Sequence, residues 1–334
     1  MNELVFFVNK VLIAGSIIGS IYALGAVGVT LVFGILRFAH FAHGDLMTVG
    51  AFAALVTAAL FQQLGITASV PTGFMALPVA MIFTAALAIG LDRTFYRPLR
   101  ANNVAPVVLV MASIGVTLML QGVVRLFAGT ATRNFFTVED KDIYTVALPF
   151  ELAQKKIVIT EPQVLLIVFT VIAVLCLHFF LSRSRLGKAM RAMSDNPDLA
   201  RISGINTELV VWTTWIIAGM LAAAGGTLLS LDVTLKPDLS FSLLLPIFAA
   251  TIVGGIGQPY GAIAGGLMVG FVETLSVFNW AVLLRPFRSL TAELFELPTR
   301  VVFVPTEYKI VVPFFILVAV LIWRPTGIFK GRLF

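Results

Sequence analysis

The sequence predicts an all-α fold, a polytopic transmembrane helical bundle of about nine spans forming a single domain over 1–334. Three observations predict it. Hydrophobic residues make up 59% of the chain and charged residues only 12%, about half the roughly 25% charge of a soluble globular protein. Apolar stretches near the ~20 residues that a helix needs to cross a bilayer recur from end to end. They are continuously apolar rather than alternating, which selects helices over barrel strands.

The segments fall at about 11–36, 44–61, 70–91, 104–127, 162–181, 208–231, 241–257, 260–280 and 307–323. The first is longer than a signal-peptide core and lacks a strongly positive leader, so it is expected to be retained. The run 241–280 is interrupted at Gly257-Gln258-Pro259 and reads either as two spans or as one span with a re-entrant piece. Cys176, the single cysteine, cannot form an intrachain disulfide and is expected to be buried as a small hydrophobe. The net charge of +6 comes from basic residues between apolar segments, so membrane topology explains it without a nucleic-acid partner.

Orientation follows from Lys and Arg. Arg37, then Arg93, Arg97 and Arg100, then Arg183, Arg185, Lys188, Arg191 and Arg201, and finally Arg324, Lys330 and Arg332 crowd short linkers against the spans. The opposite linkers hold Lys10, Arg133, Lys141, Lys155, Lys156, Lys236, Arg285, Arg288, Arg300 and Lys309, at lower density. The positive-inside rule therefore places the C-terminus in the cytoplasm and the N-terminus outside. The loop at about 129–161 then faces outward. Its mixed charges (Glu139, Asp140, Asp142 and Glu151 beside Lys141, Lys155 and Lys156) and Thr145-Val146-Ala147-Leu148-Pro149 suit either a small cap with a short hairpin or a solvated spacer.

A faint repeat relates Thr30-Leu31-Val32 through Ala51-Phe52-Ala53-Ala54 to Thr227-Leu228-Leu229 through Ile247-Phe248-Ala249-Ala250. Each copy is a span, a polar break and another span, and the two copies would cross the membrane in opposite senses. Inverted repeats of this kind are a recurring transporter plan.

The strongest local signal is the linker at about 184–206. Leu186, Met190 and Met193 share one helical face, Asn196 suits an N-cap, Pro197 a first helical position, and Gly204 a C-terminal stop. Two short helices with a bend at Asn196-Pro197, carrying positive charge and an apolar ridge, could dock into a soluble partner or rest on the membrane surface. This linker resembles the coupling segment of permease subunits in the branched-chain amino acid family of bacterial ABC importers. The stretch Leu31–Asp45 with Met47 and Gly50-Ala51-Phe52 is similar to the same family. So are Tyr96-Arg97-Pro98-Leu99-Arg100, Ile252–Gly257 continuing to Gly270 and Glu273, and Trp323-Arg324-Pro325-Thr326-Gly327-Ile328-Phe329. One departure is His40, where the family usually has Asn.

The resemblance implies a transport subunit rather than an enzyme, in a bacterial inner membrane. It implies a second permease subunit (a heterodimer), two ATP-binding subunits and an external solute-binding protein as partners. On that reading Lys188, Met190, Arg191, Met193, Asn196, Pro197, Leu199, Arg201 and Gly204 couple the bundle to the ATPases. No G-x-x-x-x-G-K-[ST] phosphate loop occurs, and no cofactor or metal is expected. The family architecture also serves urea and short amides, and an ion-coupled secondary transporter or a membrane enzyme are rival classes. The former needs paired intramembrane ionisable groups, the latter clustered nucleophile, base or metal ligands.

Candidate residues for the translocation path are His40, His43, Gly44 and Asp45 in the first polar break, Gly254 and Gly255 in the second, and Glu273. Irregular backbone at membrane depth is tolerated where protein or a water-filled cavity surrounds it. The Asp45 carboxylate would lie near a positive helix end. A carboxylate within a span costs about 2.5–3.5 kcal/mol unless it finds a partner, so Glu273 reads either as a packing hydrogen bond or as a solute ligand. Gly15 and Gly19, Gly257, Gly261 and Gly265, and Gly266 and Gly270 recur four apart, the spacing that lets helix backbones approach. His178, near the end of its span, reads as a satisfied interfacial residue.

Overall fold

The computed structural model describes residues 2–66, 70–146, 156–284 and 300–329. Ala147-Leu148-Pro149, Glu151, Lys155, Arg285, Arg288, Lys330 and Arg332, all used in the sequence reading, lie outside the described residues.

Helix α1 (Asn2–Leu36) is followed by α2 (His43–Gln63), α3 (Leu77–Ala101), α4 (Pro106–Ala128) and α5 (Glu161–Arg183). Two short helices, α6 (Arg185–Asp195) and α7 (Pro197–Ile202), precede α8 (Thr207–Asp232), α9 (Leu239–Gly254), α10 (Pro259–Val277) and α11 (Val311–Trp323). Among the described residues, seven of these helices are long and apolar enough to span a membrane, and α9 and α11 are shorter apolar helices. Each of the nine apolar segments thus corresponds to one helix. At 16 residues, α9 is about 24 Å long, short of a ~30 Å hydrocarbon core.

The two ends of the bundle are distinct. At one end, strands β1 (Ile143–Val146) and β2 (Ile157–Thr160) form an antiparallel hairpin within the 129–161 loop. Asn9 on α1 holds it through Nδ2 to the Lys156 carbonyl at 3.1 Å and Oδ1 from the Val158 amide at 3.2 Å. Arg133 pairs with Leu235, and Lys141 Nζ donates to the Asp232 carbonyl at 2.6 Å, so the loop is tied to the end of α8. We call this the loop end. The opposite, connector end carries α6 and α7 and the α9–α10 turn. The chain after α11 returns there, Ile328 N donating to the Val253 carbonyl at 2.9 Å. The start of α1 and the end of α11 therefore lie at opposite ends, as an odd number of crossings requires. The run 241–280 forms two helices, α9 and α10, joined at the connector end by the turn at Gly255–Gln258.

Backbone proximity defines the centre. Helix α10 lies against α1 through its glycines: a Cβ added at Gly266 or Gly270 would collide with the backbone of Ala23 or Gly19. Gly261 and Gly265 do the same for α10 on α9, at Gly254 and Ala250. Helix α8 lies on α3 where Gly219 meets Ala85, and on α2 where Gly226 meets Met47. Such approaches favour association where lipid is as apolar as the side chains.

The repeat extends beyond the matched tripeptides. Helix α1 runs toward the connector end and α8 away from it, so the copies are inverted. On the register that aligns Thr30 with Thr227, Tyr22 aligns with Gly219. Gly266 rests on Tyr22 and Ala23 as Ala85 rests on Gly219, which pairs α10 with α3. Seven residues further on, the two helices carry Glu273 and Asp92.

Candidate functional site

The break between α1 and α2 is built by aromatic packing. Arg37 ends α1 in the left-handed conformation, with φ 60°. The chain then turns into the bundle, where His40 Nε2 lies 3.1 Å from the Tyr96 hydroxyl and its ring sits edge-on to Trp215 at 4.9 Å. Tyr96 in turn stacks on Trp215. The Phe41 amide donates to Ser113 Oγ at 3.2 Å, and the Phe41 ring stacks on Phe248. Tyr96 is placed by a π-helical stretch, Asp92–Tyr96, within α3. Such wide turns break the regular helical ladder and often occur at functional positions.

His40, His43 and Asp45 are all buried, and Gly44 and Asp45 lie in the first turn of α2. A Cβ on Gly28 would strike the His43 imidazole, so glycine on α1 makes room for that ring. The break is packed shut in this conformation. Gly254 and Gly255 are likewise enclosed: Gly254 abuts Gly261, and Gly255, at φ 107°, lies under Gly327. Both serve backbone packing in this conformation.

Glu273 is 3% exposed. Tyr22 donates its hydroxyl to Oε2 at 2.8 Å, and Lys309 Nζ lies 3.3 Å from Oε1. Its repeat counterpart Asp92, also buried, accepts a two-pronged bond from Arg100 at 2.7 and 3.0 Å. Two buried carboxylates thus stand toward opposite ends of the bundle, Asp92 held by a cation eight residues further along its own helix and Glu273 by one that precedes α11.

The connector folds as two capped helices. Ser184 Oγ accepts from the Gly187 amide at 2.8 Å, and Asn196 Oδ1 accepts from the amides of Asp198 and Leu199 at 3.1 and 3.0 Å. Pro197 begins α7, and Gly204 ends the segment with φ 81°. A Cβ at Gly187 would collide with the Phe180 carbonyl, so glycine alone permits α6 to fold so closely on α5. The apolar ridge of α6 faces inward. Met190 and Met193 are buried at 2% and 8%, with Leu186 half-buried, because α6 lays this face on its own bundle. The outward surface carries Arg185, Lys188, Arg191 and Arg201 with Leu199 and Ile202, 60% and 80% exposed. The Arg37 guanidinium donates to the Ser194 carbonyl at 2.7 Å, and Gly34 lies beside both Ser194 and Gly257.

Sequence reasoning did not assign Tyr22, Lys309 or Trp215 to a site, and it quoted Tyr96 and Arg100 without their partners His40 and Asp92. A tyrosine or an acid inside an apolar run was the available signal. Cys176 is exposed on α5 rather than buried, among the outward-facing Ile172, Leu175 and Phe179. His178 Nδ1 lies 3.0 Å from the Tyr260 hydroxyl. Among the described residues no group of three His, Cys, Asp or Glu could hold a metal ion.

A many-helix bundle with seven helices of membrane-spanning length among the described residues defines a multi-pass membrane protein. Residues 11–321 match the family model for the branched-chain amino acid transport system permease component, and the chain belongs to that family. Among curated relatives, the high-affinity branched-chain amino acid transport system permease protein BraD of Pseudomonas aeruginosa is 31% identical over 98% of this chain and 97% of its own length. LivH of Escherichia coli K12, described in the same words, is 30% identical with the same coverage. The probable branched-chain amino acid transport permease protein LivH of Methanocaldococcus jannaschii is 30% identical over 82% of each chain.

Proposed function

We propose that this chain is a membrane-spanning subunit of an ATP-driven importer for branched-chain or related small amino acids. It pairs with a second, different permease subunit and performs no catalysis itself. Two ATP-binding subunits dock on α6 and α7 at the cytoplasmic face, and a solute-binding protein delivers its cargo at the loop end. The chain sits in a bacterial inner membrane with its C-terminus in the cytoplasm. The observation that carries this reading is the near full-length match to permeases whose names specify branched-chain amino acid transport.

The geometry supports the division of labour. The exposed pair Leu199 and Ile202, ringed by cations, is a small apolar contact with a basic rim, the usual anatomy of a docking surface. Displacement of α6 would travel along two routes. Gly187 presses directly on α5, while Ser194 is bonded to Arg37 at the point where α1 gives way to the His40–Asp45 break. Rocking one half of an inverted repeat against the other then alternates access. His40, His43, Gly44 and Asp45 belong to the path as residues that must move when it opens.

The test is uptake of radiolabelled leucine into proteoliposomes holding this chain with its second permease, ATPases and solute-binding protein. ATP-dependent accumulation is the expected result. Uphill accumulation without the ATPases would overturn the proposal. Labelling of a cysteine introduced at Ile202 by an impermeant reagent added outside intact cells would overturn the orientation.

A further inference from the structure

At the loop end, a cavity of about 310 Å³ is lined by Tyr22, Glu273, Lys309 and Lys236 with the apolar residues Ile21 and Leu243. That volume lies at the small end of ligand sites, roughly 300–1,000 Å³. We propose that it binds the zwitterionic head of an aliphatic α-amino acid. The ligand ammonium sits on the Glu273 carboxylate and its carboxylate on Lys309 and Lys236, with the side chain against Ile21 and Leu243. This deepens the importer reading and rests on it, since it names a solute site within the same subunit.

Glu273 is buried while the Lys309 side chain is 51% exposed, so one member of the pair is free to turn aside. Lys309 follows a single short turn, Thr306–Tyr308, not a long helix. Tyr22 fixes one carboxylate oxygen and leaves the other, Oε1, toward the lysine. An arriving ammonium takes the lysine's place on Oε1 and supplies a carboxylate for the displaced lysine, so the site keeps its charge balance. A lone amine or a lone acid does not achieve this exchange, and a buried charge left unpaired is costly. As a purely packing device the pair is poorly suited, because apolar residues of the same volume are often at least as stabilising.

The same head-group chemistry occurs in ethanolamine phospholipids, and the experiment separates the two. Permease–ATPase complex without solute-binding protein is placed in phosphatidylcholine nanodiscs, and L-leucine binding is measured by equilibrium dialysis. Saturable binding is expected, falling about tenfold or more in Glu273→Gln, as loss of a charge-assisted bond implies. Lys236→Met, on the rim, is expected to weaken leucine but leave 3-methylbutylamine, which has no carboxylate, unchanged relative to wild type. Glu161→Gln, at the same end but outside the cavity, is expected to bind as wild type does. Three results overturn the site: no saturable binding although the full importer transports leucine, equal binding by Glu273→Gln, or retention of phosphatidylethanolamine that depends on Glu273 in place of leucine. If the full importer moves no amino acid, the functional reading fails and the site falls with it.

Discussion

The Arg37 guanidinium donates a 2.7 Å hydrogen bond to the Ser194 carbonyl, joining the first residue of the α1–α2 break to the last turn of α6. A cation at a helix C-terminus also meets the negative end of the helix dipole. The contact is solvent-exposed and modest for stability, so its consequence is mechanical. In Arg37→Met, solute transported per ATP hydrolysed is expected to fall several-fold while hydrolysis persists, an effect of about 1 kcal/mol. Paired uptake and ATPase assays in proteoliposomes measure it, and unchanged coupling would rule out this route.

The connector has separable folding and docking faces. Met193→Ala empties a buried position and is expected to cost about 2 kcal/mol, the low end for methionine truncation because the site is peripheral. Leu199→Asp with Ile202→Asp leaves thermal stability within about 0.5 kcal/mol, as surface changes do, yet reduces co-purification of the ATP-binding subunits. The reverse pattern, with Met193 governing association, would return the docking surface to the buried face.

The two carboxylate pairs predict an order of effects. Removing Arg100 strands Asp92, which is 1% exposed, whereas removing the carboxylate frees an arginine side chain that is 23% exposed. Arg100→Met is therefore expected to be the more damaging, by up to about 3 kcal/mol, and Asp92→Asn the milder. Thermal unfolding of purified protein ranks them, and equal or inverted losses would refute the assignment.

Glycines divide by what a methyl group would meet. Gly266→Ala and Gly270→Ala drive α10 off the α1 backbone and are expected to destabilise by about 1–3 kcal/mol. At Gly115 and Gly122 a Cβ meets nothing within 4 Å, and replacement by alanine is expected to be neutral or to stabilise by up to about 1 kcal/mol. Melting temperatures of the four variants in one detergent decide between these outcomes.

Much of this was legible beforehand because each feature has a local cause. The caps at Ser184 and Asn196 follow from side chains that satisfy free amides within three residues. The break at His40–Asp45 and the turn at Gly255–Gln258 interrupt apolar runs, so their existence shows in one dimension. The sites themselves were legible only in fragments. Glu273 stood out as a lone acid, but Tyr22 and Lys309 lie far from it in sequence and offered no spacing to read. Trp215 was hidden inside an otherwise ordinary span, and Tyr96 was marked only by the stretch it opens, not as a partner of His40.

The sequence alone determined that helices cross a membrane and which apolar runs form them. Unpaired backbone amides are intolerable in hydrocarbon, so a long apolar run has essentially one solution. Tertiary structure alone decided which face of each helix turns inward. Lipid and neighbouring helices are equally apolar, so the spans carry little periodic signal of burial. For that reason Cys176 proved exposed, Met190 and Met193 folded inward, and two acids far apart in the chain took equivalent places at opposite ends.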